Sequence, residues 1–436
     1  MKSRTVRLDV DLDPLAVGRR TGLLWSRPKA DDPVPGLAGV GEAIRLTVAR
    51  PDGGRAAQAE VAALAGPNEV EGPGTGPVAF GAFPFDRTVP GELVVPRVIV
   101  GRGADGRRWL TITDDGSLSV DDAVALVRAT LDYSAGRAES AESAGRAERA
   151  ESGEASTDGP GEPTVYELTS PLAPELWRDE VVAVVRDRIR AGELDKAVLA
   201  RELVLRTDAP VPPALVLERL ADAFPAAILF AVDGFLGATP ELLVARHGDI
   251  VRAHPLAGTA PRATDPSADG RRAAALLAST KDRWEHRITI DWLLDGLLPF
   301  CSYVDAEPEP TIVSLANVHH LGTRVEGRLS SPPVSALELV EALHPTPAVG
   351  GAPQAVALDV IAELEQAERG RYAGPVGWVD AEGNGAFAVG IRSAVMDGTE
   401  VRLFAGVGVV GDSDPAAELA ETRAKFRAML GALLRP

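Results

Sequence analysis

The chain has 436 residues, 45% of them hydrophobic, and a formal net charge of -18. That length supports one large domain or two ordinary ones with a substantial core. The acidic balance argues against non-specific binding to nucleic acid or to acidic membranes. The single cysteine, Cys301, excludes an internal disulfide and any cysteine-based metal cluster.

The N-terminal stretch MKSRTVRLDVDLDP carries charges where a signal peptide needs an apolar core, and no uncharged run is long enough to span a bilayer. A cytoplasmic protein is expected. Residues 1–133 alternate short apolar runs with Gly/Pro turns. The runs at 4–13, 43–50, 78–85, 92–102 and 107–115 read as strands of an antiparallel sheet, and 120–135 reads as a helix. Residues 134–163 are a near-repeat of Ala, Glu, Ser, Arg and Gly with almost no large apolar side chain. Such a segment buries too little to offset its ordering entropy, so a flexible insertion is expected there.

From 164 to 436 helices and strands alternate. Residues 175–194 form an amphipathic pattern with Val181, Val182, Val185 and Ile189 on one stripe. A strand at 196–207 opens with Lys196, and a helix at 212–224 precedes a strand at 226–238. After the turn Thr239-Pro240-Glu241 comes a strand reading at 242–262, a helix at 280–300 and a strand at 318–329. A Pro/Gly loop at 343–353 leads into a helix. Residues 369–398 read as a hairpin turning at Glu382-Gly383-Asn384-Gly385. The chain closes with a strand, a glycine turn and a helix over 403–430. Asp414 there is placed as an N-cap and Pro415 at the first helical position. No Gly-rich phosphate loop follows a first strand, so the pattern predicts α+β rather than a doubly wound nucleotide fold.

Several residues could carry chemistry. There are only five lysines, at 2, 29, 196, 281 and 425. With arginine supplying most positive charge, a retained lysine suggests a need for a compact ammonium or for one that can lose its proton. Lys196 opens an apolar strand, where it either snorkels to solvent or, if buried, becomes a usable base. Glu241, wedged between a turn and Leu242, either faces water or is held protonated as a general acid. Glu418, Glu421 and Lys425 fall at i, i+3 and i+7 and so share one helix face. That face is either a solvated ion-paired surface or, with Glu285 from another helix, a set of hard-oxygen donors suited to Mg²⁺. Arg392 and Lys425 are candidates to bind substrate carboxylates, the arginine as a bidentate fork.

Nine stretches occur together and in order: KAVLAR, GATPELL, PLAGT, KDRWEH, HHLGT, HPTPAVGG, RGRYAGPVGW, GIRSA and AGVGVVGDSDPAAELAETRAK. Over roughly 164–433 the chain resembles the chorismate-utilising enzymes that share the anthranilate-synthase large-subunit fold. The resemblance implies large antiparallel β-sheets forming a sandwich core flanked by helices, with the N-terminal part completing the same body and the insertion bulging outward. Lysine at position 196 and the form HPTPAVGG resemble the isochorismate synthase branch; the ammonia-using branches typically have glutamine at the lysine position. Salicylate synthase is the nearest alternative, and a non-catalytic chorismate-binding protein is a third.

By the same resemblance, Lys196 activates water for attack at C2 of chorismate and Glu241 protonates the departing C4 hydroxyl. Mg²⁺ is held by Glu285, Glu418 and Glu421. Gly258, Thr259, His320, Tyr372, Arg392, Gly406 and Lys425 line the substrate site, and the protein is a monomer. The sequence departs from the family pattern at Gly383-Asn384-Gly385-Ala386-Phe387, where many members have glutamate at the position of Ala386.

Overall fold

The computed structural model describes residues 1–27, 34–49, 53–132, 162–316 and 318–434. Most of the expected insertion therefore lies outside the described residues. Among those described, nineteen strands join in one hydrogen-bonded network, and three more, Leu256–Pro261, Val318–Gly322 and Thr311–Ser314, form a small separate sheet. Their ladders are antiparallel, as the alternation of short connections requires.

The network has two C-terminal sets of strands with N-terminal strands between them. The first set runs Lys196–Thr207, Glu400–Val409, Ser393–Asp397, Phe235–Thr239 and Ile228–Val232. Leu23–Ser26 continues it by pairing with Ile228–Val232, then passes to Gly36–Val48 and Gly91–Arg102. From there Val78–Ala82 pairs with Pro375–Asp380 and opens the second set, which continues through Gly385–Val389, Leu242–His247, Ile250–His254, Val325–Leu329 and Cys301–Ala306. The motif-poor N-terminal stretch thus supplies the middle of the network.

The chain passes directly between the two C-terminal sets at two places. One is Thr239-Pro240-Glu241, between Phe235–Thr239 and Leu242–His247. The other is Gly390-Ile391-Arg392, between Gly385–Val389 and Ser393–Asp397. These connections bring Glu241 and Arg392 to one cavity. The backbone at Arg392 has φ +51°, a left-handed conformation that costs a non-glycine residue on the order of 1–2 kcal/mol. Such outliers concentrate where a site over-determines the backbone.

Helices cover the network. Ser279 caps the Thr280–Leu297 helix by accepting the Asp282 N–H. Asp414 caps the Pro415–Leu433 helix by accepting the N–H groups of Ala416 and Ala417, with Pro415 at its start. The largest apolar cluster joins the Val181, Val182 and Val185 stripe to Leu293, Leu297, Leu339, Val340 and Val360, so helices from distant parts of the chain share one core with the sheet.

Some long strands expected from sequence are divided in the structure. Residues 226–238 make a hairpin because Asp233 and Gly234 both take positive φ, +47° and +76°, as a tight primed turn needs. The stretch 242–262 becomes three strands, turning at Gly248 and leaving the large network at Pro255. The 318–329 stretch divides between the small sheet and the large network. Helices at Pro14–Thr21 and Gly54–Ala63 interrupt the run of strands read ahead of the 120–135 helix. The 175–194 helix is present as Pro174–Arg190, with a wider π-type turn at Trp177–Val182.

Candidate active site

A cavity of about 290 Å³ opens where the two crossovers, the small sheet and two helices meet. Of the twelve site residues expected from sequence, eleven line it: Glu241, Gly258, Thr259, Glu285, His320, Tyr372, Arg392, Gly406, Glu418, Glu421 and Lys425. Lys196 is the exception. It is 1% exposed and sits just behind the wall, its Nζ 2.6 Å from Glu285 Oε1. Gly408 separates it from the cavity: a Cβ built there would lie 2.7 Å from Glu285 Oε1 and 3.0 Å from Lys196 Cε. Only glycine leaves room for the ion pair at that point.

The carboxylates divide into two groups by environment. Glu241 is buried, and burial pushes its pKa up to about 7 against the opposing pull of the Leu256 N–H and of Lys196, Arg392 and Lys425. A carboxyl group with that pKa still carries a proton near neutrality and can give it away. Glu285 behaves oppositely. Burial favours its neutral form, but the Lys196 ammonium, with Lys281 and Lys425 beyond it, holds it below the usual carboxylate range.

Glu418 is pushed up to about 7 by burial and by the charge of Glu421. Asp282 is raised by burial, with Glu285 and Glu421 adding to the effect. Asp282 was not among the expected site residues, yet it also lines the cavity. It falls three residues before Glu285, one helical turn away on the same face, and that spacing was visible in KDRWEH. Asp282, Glu285, Glu418 and Glu421 thus form one acidic wall, in which the charges of Glu285 and Glu421 disfavour ionisation of Asp282 and that of Glu421 disfavours ionisation of Glu418. A divalent cation among them would relieve that repulsion, and hard-oxygen donors are what Mg²⁺ takes, so the donor set fits the metal. Among the described residues no three acidic or imidazole groups already converge at ligand distance. Glu285 turns to Lys196, and Glu421 accepts from Lys425 Nζ at 2.7 Å.

The rest of the lining is cationic and neutral. Lys425 Nζ also donates to the Gly406 carbonyl at 2.8 Å, which aims the ammonium along the cavity edge. Arg392 is buried, with its Nε lacking a hydrogen-bond partner. Burial lowers its pKa from an ordinary arginine's, and a guanidinium so placed has donors left for a carboxylate. His320 is buried too, and burial, with Arg392 and Lys425 nearby, pushes its pKa down to about 3. The ring is therefore neutral. The Gly258 carbonyl can only accept, so His320 Nδ1, 3.1 Å away, carries the proton. That leaves Nε2 to accept from Arg392 Nη2 at 3.4 Å, steadying the guanidinium. Tyr372 stacks on Phe404 with ring centroids 5.2 Å apart, and its hydroxyl reaches the Gly406 backbone, where an added Cβ would meet it at 3.1 Å.

This geometry pairs an acid poised near pH 7 with a buried lysine, set between a cationic wall and an acidic one. The family model described as "Chorismate binding enzyme" matches residues 15–434. The chain belongs to this family of chorismate-binding enzymes. This chorismate-binding enzyme is 34% identical over 380 residues to isochorismate synthase MenF of Bacillus subtilis (strain 168), a match covering 82% of this chain and 75% of the relative. It is 41% identical over 279 residues to isochorismate synthase DhbC of the same strain, covering 62% of this chain and 70% of that one. Among solved structures, DhbC from Bacillus anthracis superposes with a TM-score of 0.75 at 30% identity, covering 96% of this chain and 97% of that one. MenF from Escherichia coli gives a TM-score of 0.75 at 24% identity, over 99% of this chain and 94% of that one, a likeness of fold. No helix among the described residues is long and apolar enough to cross a membrane.

Proposed function

We propose that this chorismate-binding enzyme is an isochorismate synthase. It converts chorismate to isochorismate by adding water at C2 and releasing the C4 hydroxyl as water, with the two ring double bonds shifting from C1–C2 and C5–C6 to C1–C6 and C4–C5. The observation that carries the proposal is the pairing of Lys196, a buried primary amine, with Glu241, a buried carboxyl group whose pKa near 7 keeps a proton available. One water enters and one leaves, so the reaction needs one proton taken and one given, and no oxidant. Lys196 is the base that takes the proton from the attacking water, and Glu241 gives one to the departing C4 oxygen.

The rest of the site holds the substrate. Arg392 and Tyr372 face the enolpyruvyl carboxylate, with His320 holding the guanidinium in place. Lys425 and the Gly406 backbone border the ring, and Gly258 and Thr259 close the side formed by the small sheet. Mg²⁺, held by Glu285, Glu418 and Glu421, supplies positive charge for the ring carboxylate when bound. A menaquinone-specific isochorismate synthase and a vibriobactin-specific one are both similar to the chain, so the proposal is the reaction and not the pathway. Incubation of the purified protein with chorismate and Mg²⁺, followed by chromatographic separation of the products, tests it. Isochorismate is expected. Salicylate with pyruvate, or unchanged chorismate, would overturn it.

A further inference from the structure

A second cavity, of about 360 Å³, shares no lining residue with the first. It lies against a gap in the sheet. The Lys196–Thr207 strand pairs along one edge with Gly351–Ala352 at its start and with Tyr166–Thr169 at its end, leaving residues between them without a strand partner on that edge. Side chains occupy that edge instead: Ala200 donates its N–H to Glu365 at 2.6 Å and accepts from Trp177 Nε1 at 3.1 Å. The volume is of the size that small-molecule sites have.

Arg201 lines this cavity and is 6% exposed. Its Nη1 donates to Thr422 Oγ1 at 2.9 Å, and its Cζ lies 5.7 Å from the ring centroids of both Trp177 and Phe426. Its Nε has no hydrogen-bond partner. Among the described residues no carboxylate forms an ion pair with it; Glu175 and Arg423 act on it only as more distant charges of opposite sign. The other buried charges around the cavity are matched, Glu202 with Arg402 at 2.5 Å and Glu365 with Arg369 at 2.5 Å. Two aromatic faces offset only part of the cost of burying a cation, and a counter-anion offsets more.

We propose that this cavity is a second ligand site that takes a small monocarboxylate with a compact apolar body, its carboxylate on Arg201. Leu172, Leu364 and Ala367 supply apolar wall beside Trp177. The exposed Glu368 at the rim disfavours a second negative charge. A dicarboxylate such as chorismate is therefore rejected here and accepted only in the first cavity.

Benzoate is a suitable probe, titrated calorimetrically into the full-length protein. Three variants distinguish the cavities. Arg392→Gln removes the carboxylate ligand of the first cavity, Arg201→Met removes that of the second, and Ala367→Trp fills the second from its rim without touching the guanidinium. Benzoate is expected to bind the wild type and Arg392→Gln with similar affinity and to bind Arg201→Met and Ala367→Trp at least tenfold more weakly. Should Arg201→Met fail to fold, Ala367→Trp decides alone, with an unchanged melting temperature as its control. Absence of binding to the wild type at millimolar benzoate, or binding that survives Ala367→Trp, overturns the proposal. Because the readout is binding, the outcome does not depend on which reaction the first cavity performs.

Discussion

Gly408→Ala separates the fold from the chemistry. The added methyl would sit 2.7 Å from Glu285 Oε1 and 3.0 Å from Lys196 Cε, so one of them has to move. The carboxylate oxygen is the end of a flexible chain and moves more easily than the strand, so the stability cost stays at the scale of mild overpacking, about 1–3 kcal/mol. The Lys196–Glu285 contact of 2.6 Å does not survive that displacement. A charge-assisted hydrogen bond of this kind contributes about 1.5–3 kcal/mol. If that interaction positions the lysine in the transition state, its loss lowers kcat by roughly 10- to 150-fold. At saturating Mg²⁺, KM for chorismate should change less than kcat, because Arg392, Tyr372 and Lys425 stay in place. Steady-state kinetics by product chromatography and a thermal melt of the same preparation measure both effects. A variant that keeps kcat within twofold of wild type, with the methyl accommodated, would refute the positioning of Lys196 by Glu285.

Other expectations follow from the same site. Lys196→Ala should bind chorismate in calorimetry yet lose turnover by about 10²–10⁴-fold, the usual contribution of a positioned base. Glu241 must be protonated to act, and its pKa is near 7, so kcat/KM should fall as pH rises through about 7. In Glu241→Gln that limb should vanish together with most of kcat; a limb that persists would assign it to another group. Glu421→Ala should raise the Mg²⁺ concentration needed for half-maximal rate, and activity undiminished by EDTA in the wild type would contradict the acidic wall as a metal site. His320→Ala removes the acceptor facing Arg392 Nη2, so KM should rise several-fold with a smaller loss in kcat.

Much of the site was legible because it is local. The i, i+3, i+7 spacing of Glu418, Glu421 and Lys425 brings all three to the cavity, as a helical face must. The scarcity of lysine singled out Lys196, and the Asp414-Pro415 signal marked the start of the last helix. What could not be read depends on contacts between residues far apart in the chain. The Lys196–Glu285 pair spans 89 positions, as 285 minus 196, and no local pattern announces it. The same holds for the passage of His319 and His320 into a separate small sheet, decided by pairing with Leu256–Pro261 rather than by alternation. The N-terminal stretch carries no recognisable motif, yet its strands occupy the middle of the network because they bridge two sets that do not otherwise complete it. The Pro14–Thr21 helix was a different kind of miss. Its caps, Asp13 and Gly22, are local, and a reading of alternating apolar runs does not use them.

The most direct test of the central claim is the product of the reaction itself. Purified protein with chorismate and Mg²⁺ should yield isochorismate in equilibrium with residual chorismate, without pyruvate, when the mixture is resolved by chromatography. Pyruvate appearing in step with salicylate would contradict the account, and so would chorismate that binds by calorimetry but returns unchanged.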